Sequence, residues 1–530
     1  MNLVPFSLFA LTIFCTGLYA QILPAPLPLP FPETLPHNAS QPLSPTLASF
    51  SIEFSYLTAF GGNKTHPNVL TRELMQRLVE RSGVGPDVRP GGITIDSTIF
   101  DPNGPALTLI ESTSGGIYRT TFGPAIYESL LVFPNSTQFV ATVNLGNNTI
   151  EIARDEIAAA IKYIGMDRIR AFELGNEADQ YAGGLRPSGW SSYDYTAQYL
   201  GWTFILSNNL SLPKHIFQAG GFAIDPTPSA PMTTVDIVNE GIDSTGTVKV
   251  FAQHTYQYST CDPVRNAIAT LPNLVNHNNI TAYLDLWKPQ IAAAKSIWKE
   301  FVVGEYGSVS CSGRENVTNT FGQALWLADT ILYGGALNIS RMYLHQGATL
   351  VLQSSSQANT PGFSWYDLWY PIPTDRYGSA RASPSFVAYL LVTEAIGPAT
   401  HTSTRLALLP ALPSLPNFAA YAIWDPDSRA ITDGPARLVL LNLAVRNISS
   451  AAHEGSVSVD LSKWVRAGGQ EAVKVKRMSA PGLDSTDSRT ATWAGQSFEN
   501  GTASGVEVVE SLGNDGNVTV NGSEGVLVFF

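Results

Sequence analysis

Between residues 48 and 398 the sequence repeats one pattern eight times: a short apolar run, a turn, then a longer amphipathic stretch. Runs over 50–55, 87–89, 139–144, 169–174, 216–219, 248–254, 301–304 and 339–345 have the length and residue types of strands. Stretches over 70–81, 152–164, 193–206, 283–298, 320–332 and 385–396 space their apolar residues as helices do. Strands joined through helices run parallel, and eight such units close the sheet on itself. The chain is therefore predicted to be an α/β protein built on a (β/α)8 TIM barrel. Barrels of this kind place their chemistry at the C-terminal ends of the strands, so those ends are where functional residues are sought.

Two of the eight ends carry the same signature. In AFELGNEADQY (171–181) the fourth strand stops at Gly175 and leaves Asn176 and Glu177 on the turn beyond it. In FVVGEYGS (301–308) the seventh strand reaches a glycine and then Glu305. A carboxyl at the mouth of a barrel is partly desolvated, which favours its acid form and suits a general acid. Two carboxyls facing one another are what glycoside hydrolysis requires: one protonates the leaving oxygen, and the other attacks the anomeric carbon or activates water. The alternative is a pair of solvated loop acids, the ordinary fate of a glutamate. The repeated strand-glycine-glutamate context favours chemistry. With no Cys or His cluster nearby, no metal centre is expected, and no cofactor is called for.

The rest of the chain speaks to compartment. The opening run LFALTIFCTGLYA resembles a secretory signal peptide cut after Ala20, so residues 1–20 are assigned to a leader and the mature protein is expected to be secreted and free of the membrane. Loss of Cys15 with the leader leaves Cys261 and Cys311, each following a strand end on the same face. They are expected to pair, the alternative being two free thiols. Twelve Asn-x-Ser/Thr sequons fit a glycosylated surface. A net charge of −12 with no basic run excludes nucleic acid as a partner.

Residues 21–47 are a proline-rich lead-in, 48–398 the barrel, 399–417 a proline-spaced linker and 418–530 a second domain. The last reads as alternating strands (AAYAIWD, RLVLLNL, SVSVDL, AVKVKRM, NVTV, GVLVFF) between Gly, Asn and Asp turns, hence a C-terminal β-sandwich. The terminal VLVFF is too apolar to stay exposed, so the sandwich is expected to pack on the barrel. The connection over 346–382 is long and aromatic, and loops of that length are usually functional.

Five segments, SFSIEFSY, VRPGG, FELGNE, QHTYQY and VVGEYGS, give the chain a resemblance to clan A glycoside hydrolases. More narrowly it resembles family 79, which contains heparanase and secreted fungal β-glucuronidases. The resemblance runs from Ala48 to the C-terminus. It implies that Glu177 is the acid/base and Glu305 the nucleophile, about 5 to 5.5 Å apart as retention demands. It further implies that Asn176 binds the sugar 2-hydroxyl and that Tyr256 and Arg89 hold Glu305 ionised. Glu53 would take hydroxyls at the far side of the sugar, and Tyr366 would meet the uronate carboxylate. His254 reads equally as a structural histidine and is left outside the chemistry. Many relatives carry Asn or Thr after the glycine pair of VRPGG, where this chain has Ile93; either Thr94 substitutes or the subsite is altered.

The expected activity is that of a retaining exo-β-glucuronidase, removing terminal (4-O-methyl-)glucuronic acid from glycans such as arabinogalactan. The expected partner is thus a glucuronic-acid-containing oligo- or polysaccharide, met by a monomer. The rivals are a heparanase-like endo-enzyme, which needs an open basic cleft, and a non-catalytic carbohydrate-binding wall glycoprotein.

Overall fold

The computed structural model describes residues 25–111, 117–348, 363–412, 414–464, 473–513 and 515–530. The leader assigned to residues 1–20 lies outside the described residues, as does 349–362 of the long last connection. Among the described residues no helix is long and apolar enough to cross a membrane.

The eight predicted strands form one closed parallel barrel. They are β1 (Ala48–Glu53), β2 (Val88–Gly91), β3 (Phe139–Val143), β4 (Ile169–Leu174), β5 (Phe217–Phe222), β6 (Val248–Ser259), β7 (Glu300–Ser310) and β8 (Met342–Gln346). Closure comes from β8 pairing with β1, Met342 opposite Ala48. Because side chains alternate across a strand, each β-strand splits its residues between two environments. On β4, Phe172 and Leu174 face the surrounding helices, while Ala171 and Glu173 point into the barrel. The base of the interior is apolar, with Val140, Ala171, Val250, Ala252, Val302 and Tyr343 packed together. Above them the inward positions turn polar, and that change of character locates the site.

The helices start and stop where the local chemistry says they should. Asn68 caps Val69–Ser82 by accepting the Thr71 N–H at 2.9 Å, and Gly83 ends it at φ 76°. Ser191 and Asp194 form a capping box on Ser192–Leu210. The helix expected over 283–298 is instead broken: His277–Leu284 and Lys288–Ser296 are separated by a 3-10 turn at Asp285–Trp287. Pro289 explains the restart, since proline is favoured in the first turn of a helix and disfavoured within one.

Strands β6 and β7 run well past their predicted ends. They leave the barrel rim as a two-stranded ribbon, Tyr258 opposite Val309 and Ser259 opposite Ser310. Just beyond it Cys261 and Cys311 are joined by a disulfide, with Cα atoms 6.0 Å apart.

The C-terminal region is a sandwich. Its larger sheet runs in the order β9 (Arg405–Leu408), β10 (Phe418–Trp424), β11 (Arg437–Asn442), β15 (Glu524–Phe529), β13 (Lys474–Ser479). The smaller pairs β12 (Val457–Asp460) with β14 (Asn517–Val520), and Leu27–Pro28 of the lead-in adds a parallel edge to β12. The stretch read as a linker thus contributes a strand, β9, to the larger sheet. Leu438 and Leu440 of β11 and Val526 and Val528 of β15 fill the space between the sheets. Val439, Leu441 and Leu527, facing the other way, join the barrel's own core. A sheet buried on both faces reads as a continuous apolar run, which is why RLVLLNL and GVLVFF lack clean alternation. The joint is also polar: Tyr421 donates to Asp329 of helix Phe321–Ala336 at 2.6 Å, and Trp493 to Glu394 of helix Phe386–Ile396 at 2.8 Å.

Candidate active site

A cavity of about 760 Å³ opens at the C-terminal mouth of the barrel, lined among others by Glu53, Asn176, Glu177, Tyr256, Glu305 and Tyr366. Of the residues expected here only Arg89 lies beneath the lining rather than in it, fully buried. The disulfide Cys261–Cys311 is part of the wall.

The turn bearing Glu177 is held from three sides. Asp96, from the segment after β2, accepts the Tyr181 hydroxyl at 2.6 Å and the Asn176 N–H at 3.2 Å. Asp179 accepts the backbone N–H groups of Ala223 and Ile224 beyond β5. Glu177 itself sits at φ 54° and donates its N–H to the Gly221 carbonyl at 3.1 Å. A left-handed backbone at a glutamate is strained, and here the neighbouring bonds impose it.

Glu305 arrives differently from expectation. The seventh strand does not stop at Gly304; Glu305 lies within β7, next to an irregularity where the register against β6 slips by one residue. A bulge of this kind re-aims a side chain. Gly304 permits it, since a Cβ there would stand 3.2 Å from the Cβ of Ala252.

Arg89 is the hub beneath both turns. Its Nε donates to Glu173 at 2.6 Å, Nη1 to Glu305 and to Ser51 at 3.1 Å each, and Nη2 to the Asn176 side-chain oxygen at 3.0 Å. That last bond fixes the Asn176 amide so that its NH₂ is the end left for a ligand. Glu173 is saturated in turn by Thr142 and Gln218. The Tyr256 hydroxyl donates to the other oxygen of Glu305 at 2.8 Å. Burial opposes charge on Glu305, but His345, His254, Arg89 and Tyr256 outweigh it and hold the carboxyl well below the usual range. Burial pushes His345 down to about 4, so at neutral pH its own charge is absent from that set.

Nδ1 of His254 lies 2.9 Å from Glu177. The oxygens of Glu177 and Glu305 and a nitrogen of His254 all fall within 4.8 Å of one another. The same three residues have metal-ligand chemistry, as do His401, Asp425 and Asp427 in the sandwich; there Arg437, 2.6 Å from Asp425, already supplies the cation.

Glu53 departs from expectation in one respect. Its carboxyl already accepts the N–H groups of Ile93 and Thr94 and the Thr94 hydroxyl. Thr94 is therefore turned toward Glu53 and does not replace the missing polar side chain at Ile93, which lines the cavity as an apolar surface. Burial above all, helped by the charge of Glu305, pushes Glu53 up to about 8. Gly92, at φ 82°, is required here, because a Cβ would run into that carboxyl.

Comparisons with known proteins point to the same class of enzyme. Residues 420–527 match the glycosyl hydrolase family 79 C-terminal beta domain. A β-glucuronidase of Aspergillus niger is 27% identical, covering 93% of this chain and 90% of that enzyme. One of Neurospora crassa is 28% identical, covering 88% and 86%. The chain is a glycoside hydrolase, similar to fungal β-glucuronidases over most of its length and carrying a family 79 type of C-terminal domain. The same fold is seen in a solved structure described as a 4-O-α-L-rhamnosyl-β-D-glucuronidase from Fusarium oxysporum 12S with Rha-GlcA, at a TM-score of 0.76 and 22% identity. It covers 95% of this chain and all of that one.

His345 and Glu173 escaped the motif reading of this hydrolase's site, and His254, which that reading set aside, lies against Glu177. The signal that finds them is period-two alternation counted back from a known inward residue: His254 precedes Tyr256 by two, and Glu173 follows inward Ala171 by two.

The buried acids give this hydrolase a pH signature. Burial raises Glu53 and Glu156 to about 8 and Asp96 and Asp179 to about 6. A carboxyl raised on folding contributes stability that is complete below its ordinary value and lost as pH climbs through the raised one. His345, lowered on folding, works the other way, but only below its ordinary value of 6.5. Stability is therefore expected to fall between pH 6.5 and 8, by a few kcal/mol in order of magnitude. Calorimetry at the two ends checks this, and Glu156→Gln, outside the cavity, should flatten the slope; a Tm that rises toward pH 8 contradicts it.

Proposed function

We propose that this hydrolase is a retaining exo-β-glucuronidase, acting by double displacement on terminal glucuronic acid, with or without a 4-O-methyl group, of extracellular glycans such as arabinogalactan. The observation that carries the reading is the approach of the Glu177 and Glu305 oxygens to within 4.8 Å. Glu305, ionised against Arg89 and Tyr256, attacks the anomeric carbon while Glu177 delivers its proton to the departing oxygen. Glu177, now a carboxylate, then takes a proton from water as that water displaces Glu305 from the sugar. Two inversions give net retention. Asn176 offers its NH₂ to the 2-hydroxyl, and Tyr366 a neutral donor to the uronate. The names of the fungal relatives and the Rha-GlcA in the Fusarium structure support the sugar.

Exo action is supported by the lining of the cavity, which is poor in cations. An endo-enzyme for a sulfated polyanion needs a basic cleft; among the described lining residues Arg265 is the one Lys or Arg. The test is hydrolysis of 4-nitrophenyl β-glucuronide followed by proton NMR from the first seconds. The β-anomer of glucuronic acid is expected to appear first and mutarotate later. Early α-anomer, or no hydrolysis, overturns the proposal.

A further inference from the structure

One corner of the cavity plays no part in the chemistry above. Arg265 lies on the short helix Pro263–Ala267 beyond the disulfide, and its guanidinium makes no hydrogen bond among the described residues, with Nη2 shielded from solvent. Opposite it is Asp225, from the segment after β5, with Oδ2 3.9 Å from that Nη2. Asp225 accepts the Tyr283 hydroxyl at 2.7 Å through its other oxygen. A donor and an acceptor 3.9 Å apart are too far to bond directly, yet a single hydroxyl oxygen between them reaches both at ordinary hydrogen-bond lengths.

The corner has a definite place relative to the scissile bond. Glu177 is bonded to Gly221 at the end of β5, and Asp179 to Ala223 and Ile224; the chain reaches Asp225 next. The leaving oxygen is the one that Glu177 protonates, so the leaving group extends toward this β5–β6 side. Glu53, Ile93 and His345 enclose the opposite side, from β1, the segment after β2, and β8.

Resting on the β-glucuronidase reading, we propose that Arg265 and Asp225 form the leaving-group subsite, and that it takes a neutral, polyhydroxylated sugar by straddling one of its hydroxyls. Charge decides against an anionic sugar: Asp225 and Asp262 both line this corner beside a single Arg265, and a second carboxylate would meet net repulsion.

The test compares kcat/KM on three probes: 4-nitrophenyl β-glucuronide, glucuronic acid β-linked to galactose, and glucuronic acid β-linked to galacturonic acid. Arg265→Ala is expected to lower the ratio of galactose-linked to aryl substrate by about 10- to 100-fold, the range of hydrogen bonds to a charged group. The parent is expected to favour the galactose-linked over the galacturonate-linked probe, and Asp225→Asn, which keeps an acceptor for Tyr283, to narrow that preference. The second variant separates charge recognition from a structural loss. If the parent splits the aryl β-glucuronide but Arg265→Ala leaves the ratio unmoved, the subsite falls alone. If the parent prefers the galacturonate-linked probe and Arg265→Ala abolishes that preference, the corner reads anions and the proposal is overturned. If the parent splits no β-glucuronide, the subsite falls together with the reading it rests on.

Discussion

Glu305→Gln is expected to lower turnover of an aryl β-glucuronide by at least about 10⁴-fold, the scale on which loss of a nucleophile is felt, with little change in Tm. Glutamine keeps the shape and one acceptor for Tyr256 but cannot form the glycosyl ester. Arg89 keeps its bonds to Glu173 and Asn176, so the buried guanidinium is not left without an anion. The complementary variant is Glu177→Ala. With an activated aryl leaving group the first step needs little protonation, so the glycosyl-enzyme forms and then waits for a base it lacks. Azide, small and already anionic, should enter the vacated space and release β-glucuronosyl azide. Near-parental turnover by Glu305→Gln, or an azide of α configuration, would falsify the role assignment.

The parent enzyme is expected to favour aryl β-glucuronide over aryl β-glucoside by at least about 10³ in kcat/KM. A pocket built for a uronate must desolvate a carboxylate and meet it with donors, and a neutral hydroxymethyl group leaves those donors unmatched. Rejection of an analogue lacking a recognised group runs to roughly 10⁴ or more, and a water filling the gap recovers part of it. Tyr366 is the candidate donor. It lines the cavity, its ring centroid 6.2 Å from that of Tyr256, and burial pushes its phenol up, so it remains a neutral donor. Tyr366→Phe should therefore shrink the glucuronide-to-glucoside ratio more than it slows glucoside hydrolysis. Comparable rates on the two sugars in the parent would remove the uronate from the proposal and leave the hydrolase without an assigned sugar.

What could be read from the sequence, and what could not, follows from how local each signal is. Strand β4 ends where GNE says it must, because Gly175 and the turn after it are encoded in consecutive residues. The ends of β6 and β7 were misplaced since each is stabilised by the other: TYQYS and YGSVS extend only as partners, and pairing between strands is not a property of either. The position of Glu305 within a strand was hidden for the same reason, the slip at Gly304 existing only relative to the neighbouring strands β6 and β8. Whether Thr94 takes the place of a polar residue at Ile93 was not legible, because the orientation of Thr94 depends on Glu53, forty-one residues away in the chain. His254 could not be assigned because its hydrogen-bond partner is Glu177, on the turn after a strand two places away in the barrel.

The Arg89 hub ties Ser51, Glu173 and Glu305 into one cluster, and its bond to Glu305 spans 216 residues of chain. No contiguous piece of the barrel short of that span contains both ends of it. Large chains fold through partly assembled intermediates, and in any of these that lacks the meeting of β2 with β7 Glu305 has neither its cation nor its aim. Such an intermediate is chemically silent toward glycans around it. Catalytic competence arrives with closure of the ring and not before, so activity works as a built-in check that assembly is complete.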